Sequence, residues 1–259
     1  GNTGVVIRVQ TDTTAGIYIW GAQLEVGASP TAYNPTTVKN LLGFTEAFDN
    51  AAWTKSNSFV QTNLATFSEQ FDNAAWTKTN STITPNTIIA PNGALTGDKL
   101  VEDTALTGHD VFGPTVSVVT STNNACSVYA KAAERNFVQI TTTGSAGHGY
   151  VNFNLTNGTV DSSGGTIVSS SITPVGNGWY RCSAVITSLV TTTVGGIVIS
   201  LSFSGATRRQ AYQGDGTSGL FIWGAQVVQG SVAGDYRRTD AAALPEFYPN
   251  HNGVVCAEK

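Results

Sequence analysis

CSVYAKAAERNFVQI, residues 126–140, alternates over its first half: Cys126, Val128 and Ala130 fall on one side, Ser127, Tyr129 and Lys131 on the other. A two-residue period is that of a strand with one face in a core and one facing out. WYRCSAVI, residues 179–186, obeys the same rule, with Tyr180, Cys182 and Ala184 alternating with Trp179, Arg181 and Ser183. Each strand therefore carries an aromatic and a cation on its polar side. GLFIWGAQVVQ, residues 219–229, is apolar on both faces. A bulge at its Trp-Gly-Ala centre sets Leu220, Ile222, Ala225 and Val227 inward and Phe221, Trp223 and Gln226 outward.

On either side of these three, short β-branched and aromatic runs are separated by Gly, Asn, Ser and Pro clusters at sandwich spacing. Strands are expected at 4–11, 16–25, 58–63, 81–89, 94–101, 111–118, 125–132, 136–143, 149–154, 165–174, 179–186, 195–204, 210–212 and 219–228. Helical periodicity is confined to single turns, one in AFDNAAWTK, where Asp49 or Asn50 can cap the Ala-Ala-Trp that follows, and one in LPEFY near the end. The fold class is all-β, a β-sandwich.

The chain repeats itself. FDNAAWTK occurs at Phe48 to Lys55 and again at Phe71 to Lys78, while GIYIWGAQ from Gly16 is matched by GLFIWGAQ from Gly219. A repeat at fixed offset marks a modular parent. Residues 1–43 read as the C-terminal strands of an upstream copy, 44–66 as a linker with the duplicated opening motif, 67–240 as one complete sandwich and 241–259 as a tail. Two or three strands cannot bury a stable core alone, so 1–37 are expected to complete a sheet supplied by another stretch of chain.

Charged residues are 12% of the 259 and the net charge is −4, with no Lys/Arg stripe. The footprint of a nucleic-acid binder is absent. Arg208, Arg209, Arg237 and Arg238 read as solvated loop charges. Cys126, Cys182 and Cys256 show no CxxC spacing, so buried free thiols are the default over a disulfide framework or zinc site. No stretch reaches the ~18 to 20 apolar residues that span a bilayer, and no membrane insertion is expected.

Three elements occur in order: an opening (S/T)E-x-F-D-N-x-x-W-T-K, a middle S-V-Y-A-K-A, and a close of G-W-Y-R-C-S followed by I-W-G-A-Q. Together they resemble the head spike fibre type module of phages and gene-transfer agents. The resemblance covers 67–240 in full, with 44–63 and 1–37 as partial copies. It implies a jelly-roll β-sandwich similar to carbohydrate-binding modules, preceded by a partial copy and displayed on a virion. Implied partners are host cell-surface polysaccharide, other virion proteins and further copies of the chain, as a homotrimer.

Apparatus for catalysis is missing. GDGTSG, Gly214 to Gly219, satisfies GxGxxG but precedes a strand, so it reads as a hairpin turn. GxSxG, HExxH and P-loop patterns are lacking, and His109, His148 and His251 lie far apart. Asp98, Glu102, Asp103 and Asp110 form an acidic cluster that could serve a glycosidase or hold a structural calcium; solvated loop acids are the simpler reading. The chain reads as no enzyme, with no cofactor and no metal. Sugars are held by aromatic faces against their C–H patches and by amides and charged groups at their hydroxyls. The outward set Tyr129, Lys131, Trp179, Arg181, Phe221, Trp223 and Gln226 supplies those parts, on strands of one sheet if the jelly roll holds. Against it stands burial of Trp179 and Trp223 in a core or a subunit interface, in a purely structural decoration or filament module. Trp53 and Trp76 read as packing anchors.

Overall fold

The computed structural model describes residues 62–143 and 149–241. They belong to the second of two compact units, Lys55–Lys259; the first, Gly1–Thr54, lies outside the described residues, as do the strands expected at 4–11 and 16–25, the turns in AFDNAAWTK and LPEFY, and Trp53, His148, His251 and Cys256.

Sixteen strands follow in order: β1 (Thr77–Thr79), β2 (Ser81–Ile89), β3 (Leu95–Glu102), β4 (Leu106–Thr107), β5 (Asp110–Phe112), β6 (Thr115–Val118), β7 (Asn123–Lys131), β8 (Phe137–Thr141), β9 (Tyr150–Asn154), β10 (Thr159–Gly164), β11 (Ile167–Gly176), β12 (Trp179–Thr187), β13 (Thr192–Gly195), β14 (Val198–Ser202), β15 (Tyr212–Gln213) and β16 (Gly219–Gln229). One six-stranded sheet runs β1-β5-β14-β8-β9-β10 and the other β11-β12-β7-β16-β3-β2, with every pairing antiparallel. Their central quartets are β5-β14-β8-β9 and β3-β16-β7-β12. Taken in chain order, these eight strands pair first with last, second with seventh, third with sixth and fourth with fifth. Such nesting defines a jelly roll.

The alternation in the sequence decides which face is buried. Cys126, Val128 and Ala130 of β7 and Cys182, Ala184 and Ile186 of β12 meet Val138, Ile140, Val151, Phe153 and Ile199 of the opposite sheet in one core. Cys126 and Cys182 sit on neighbouring strands, buried and unbonded to each other. The expected 111–118 strand divides at Gly113-Pro114, because Pro cannot donate to a ladder and Gly113 lies hard against Ile197 and Trp76. Of the expected 195–204 strand, 198–202 form β14, while Gly195 closes β13 on β6. β10, TVDSSG, is an exposed edge strand that escaped the strand reading because its residues are mostly polar on both faces.

The bulge expected in β16 is present. Register with β7 shifts between Trp223 and Gln226, and Gly224 adopts φ 61. Leu220, Ile222, Ala225 and Val227 all reach the core. β3 accompanies β16 only from Gly219 to Ile222. Beyond it, residues 63–68 take over that edge: Leu64 N donates to Val227 O (2.8 Å), Ala225 N to Ser68 O (2.9 Å), and the Asn63 side chain bonds both Ala225 O (3.0 Å) and Val227 N (3.0 Å). Asn63 and Ala65 are buried, so the module's packing extends upstream of Phe67.

Residues 67–76 form successive tight turns, with Gln70 N, Asn73 N and Trp76 N each bonding the carbonyl three residues back. Phe71 and Trp76 are buried edge to face, ring centroids 4.6 Å apart, so Trp76 is the packing anchor expected of it. We expect Gly224→Ala to cost about 1 to 3 kcal/mol, since φ there is left-handed and an added Cβ would lie 3.1 Å from Tyr129 and 3.2 Å from Tyr236. A melting temperature several degrees below the parent in calorimetry is the expected reading.

Candidate functional site

The register gives the outer face of the β11-β12-β7-β16 sheet as cross-strand rows. Thr173, Arg181, Tyr129 and Trp223 form one, and Trp179, Lys131 and Phe221 a second. Ser171, Ser183, Ser127 and Gln226 form a third, and Ser169, Val185, Ala125 and Val228 a fourth. All seven residues proposed from sequence for glycan contact therefore stand on one face of one sheet. Their accessibility differs from the expectation. Trp179 is 2% exposed, Trp223 5% and Gln226 1%, whereas Tyr129, Lys131, Arg181 and Phe221 are half-buried.

Two segments of the same chain cover the first three. Trp179 packs with Ile88 and Ala90 in a second apolar cluster and donates Nε1 to Ile89 O at 3.0 Å. Gly97, on the strand beneath, leaves the room: a Cβ there would stand 3.2 Å from the Trp179 ring and nearer still to Ile88. Trp223 lies under Tyr236, ring centroids 4.9 Å apart, and Tyr129 closes a triangle of rings at 5.2 Å from Trp223 and 5.7 Å from Tyr236. Gln226 fastens that cover, donating Nε2 to Ala233 O and accepting from Arg237 N at 2.8 Å. Trp179, Trp223 and Gln226 thus hold covering segments in place and offer no open platform. The folding of a strand end, Ile88 to Ala90, and of the irregular stretch 233–237 onto an outer face leaves no periodic trace, which is why sequence patterning sets these residues outside.

What stays open is the β11-β12 half of the face. A trough of about 370 Å³ runs there, floored by the hydroxyls of Ser169, Ser171, Thr173 and Ser183 and walled by Val232 to Gly234. Arg181 stands at its head. The guanidinium donates to Gly234 O at 2.6 Å and to Ser127 Oγ at 3.2 Å and lies 5.7 Å from the Tyr129 ring centroid. No carboxylate of the described residues forms an ion pair with it. The seryl floor was missed from sequence because SSS at 169–171 resembles any solvated stretch; only the register shows Ser169 and Ser171 on the same face as Arg181, with Thr173 directly opposite it.

The acidic cluster does not converge on one site, and three of its four members are buried where solvated acids were expected. Asp98 accepts from Phe71 N (3.1 Å) and Asn86 N (2.9 Å), and burial outweighs these bonds to push its pKa up to about 6. Glu102 takes Arg135 through two nitrogens, the Tyr212 hydroxyl (2.7 Å) and Asp215 N (2.9 Å). Burial would raise its pKa, but those donors hold it below the usual range. Asp110 pairs with Arg209 at 2.6 Å, and Arg208 bonds Thr141 Oγ1 (3.0 Å) and Thr142 O (2.6 Å). These two arginines clamp the 203–211 loop to the other sheet and are not free loop charges. His109 is buried between Asn80 O and Tyr212 O. Among the described residues no three His, Cys, Asp or Glu side chains gather as a metal site. GDGTSG is a loop closed by Asp215, which accepts from Thr217 N and Ser218 N; it leads from β15 into β16, which lie in different sheets, so it is not a hairpin.

No protein-family model and no curated protein matches the chain. Among solved structures it is similar to the enzymatically active domain of bacteriophage CBA120 tailspike protein 4, at 16% identity and TM-score 0.35 over 65% of this chain and 21% of that one. It is similar also to the CBM22-1–GH10 modules of Clostridium thermocellum endo-1,4-β-D-xylanase 10B, complexed with xylohexaose, at 12% identity and TM-score 0.36 over 69% of this chain and 30% of that one. The chain spans less than a third of either structure, and the likeness is one of β-rich fold.

Trp179→Ala is expected to cost ~3 to 5 kcal/mol, the range for emptying an aromatic site, and to lower the melting temperature in thermal denaturation. An open platform would leave that temperature nearly unchanged. A pH effect attaches to Asp98. Its folded pKa lies above the ordinary value near 3.8, so the folded chain holds this proton more tightly, and the resulting stability is full below pH 3.8 and lost as pH rises through about 6. The stability difference between the parent and Asp98→Asn should therefore shift against the parent between pH 4 and pH 7, measured by denaturant unfolding at each pH.

Proposed function

We propose that this chain is a segment of a virion spike or fibre whose jelly roll binds host cell-surface glycan without cleaving it. The trough on the β11-β12 face carries the reading. Its volume falls in the range of small-ligand clefts, its floor carries hydroxyl donors and acceptors suited to sugar hydroxyls, and Arg181 at one end has no carboxylate partner among the described residues. A guanidinium in that position favours a glycan bearing an acidic substituent, since charge-assisted bonds to carboxylate are the strong ones. Display on a virion and trimeric association rest on the ordered sequence elements described first.

The structural-module alternative required outward aromatics waiting for neighbouring copies. Trp179 and Trp223 are covered by Ile88 to Ala90 and by Tyr236 of their own chain, which fits the core half of that reading and leaves neither ring as a platform for a neighbouring copy.

The test is a glycan array on the intact chain. Ser183→Trp, which fills the trough floor, should abolish binding while leaving the melting temperature within a few degrees of the parent. Arg181→Gln should weaken binding to acidic glycans by about tenfold or more, the equivalent of one charge-assisted bond at roughly 1.4 kcal/mol per decade. If the parent binds no glycan, or if Ser183→Trp binds as the parent does, the trough is not the site.

A further inference from the structure

The duplicated opening motif gains a physical meaning from what each of its residues does. Asn63 Nδ2 donates to Ala225 O (3.0 Å) and Arg237 O (2.8 Å), while its Oδ1 accepts from Ala65 N (3.0 Å) and Val227 N (3.0 Å). Ser68 Oγ bonds the Tyr236 hydroxyl (2.8 Å) and accepts from Thr239 N (2.8 Å), and Glu69 accepts from the same tyrosine at 3.2 Å. Phe71 and Trp76 fill the end of the core. Asn73 Oδ1 holds Ala75 N, and the Lys78 ammonium gathers the carbonyls of Asp72, Asn73 and Trp76 at 2.8 to 2.9 Å. Ser81 Oγ donates to Asp110 O at 2.7 Å. Phe67 and Asn80 sit at left-handed φ of 50 and 52. The segment 63–81 is thus a plug, and β16 with residues 236–240 is its seat.

The sequence repeat is longer than the octapeptide. Residues 40–58 match 63–81 at fourteen of nineteen positions, and the matches include Asn40 for Asn63, Leu41 for Leu64, Phe44 for Phe67, Glu46 for Glu69, Asn57 for Asn80 and Ser58 for Ser81. Thr45 keeps the hydroxyl of Ser68. At the positions of Gln70, Thr66 and Thr79 the plug uses only backbone groups for its bonds, so Ala47, Gly43 and Ser56 forfeit none of them. Two replacements ask for more room, Leu42 at the buried Ala65 and, by one methyl, Thr45 at the buried Ser68.

We propose that the seat formed by β16 and residues 236–240 is a binding site for either segment, and that residues 40–58 are a second plug able to replace 63–81. Both lie on one polypeptide, so the second plug competes at an effective concentration of about millimolar and needs no partner molecule. Residues 59–66 would then follow it along the course of β2, with Val60 at the place of the partly buried Ile83.

The experiment compares the intact chain with Trp53→Ala, Trp76→Ala and the double variant, by thermal unfolding and by hydrogen exchange. Two interchangeable plugs predict that Trp76→Ala melts several degrees above the double variant, that Trp53→Ala alone changes little, and that amides of 48–55 become more slowly exchanging in Trp76→Ala than in the parent. A double variant no less stable than Trp76→Ala overturns the proposal. So does a Trp76→Ala chain that fails to fold, or one whose 48–55 amides exchange as they do in the parent.

Discussion

One left-handed residue governs the arrangement. At Gly224 the backbone of β16 takes an extra residue, and the strand leaves the bulge with its inward set advanced by one. Without that step Ala225 and Val227 would face out and Gln226 in, reversing the end of the central strand. The same bulge lies where β3 stops accompanying β16 and residues 63–68 begin. Trp-Gly-Ala-Gln is therefore a compact instruction. Trp223 supplies the surface for Tyr236, Gly224 the turn of register, Ala225 the bonds to the plug, and Gln226 the clamp on 233–237.

The strands that make the jelly roll were legible where one face is apolar and the other polar, as in β7 and β12, because burial imposes that period directly. β10 was not, since an edge strand exposed on both faces is under no such constraint. For the candidate site the direction of each side chain was readable and its cover was not. Tyr129, Arg181, Trp179 and Trp223 do project from one face, yet whether water reaches them depends on the end of β2 at Ile88 to Ala90 and on the irregular 231–237, whose placement over that face is fixed by long-range bonds. The trough is what those covers leave open. No local pattern encodes a remainder.

Buried polar groups do most of the fastening of irregular chain. Asp98, Asn63, Gln226 and Asp110 each bond backbone or guanidinium groups of a loop that has little apolar surface of its own. A buried polar atom left unpaired costs about 1 to 3 kcal/mol, so each such group admits one placement of its loop and penalises the rest. The outer faces of both sheets are closed in this way, by 203–211 on one and by 231–240 on the other. What these covers leave open is the hydroxyl-lined trough on the β11-β12 half of one sheet.

The two core thiols carry a consequence for how the molecule's opening can be followed. Burial pushes the Cys126 thiol up to about 12 and raises Cys182 as well, so at neutral pH neither supplies the thiolate that reagents and oxidants attack. They stand on adjacent strands and face inward, both fully buried in the core between the sheets. Their alkylation rate thus reports the separation of the two sheets and is insensitive to fraying of edges and loops. Every trapped adduct on Cys126 or Cys182 records one such separation, which makes native cysteine chemistry a clock for the lifetime of the fold.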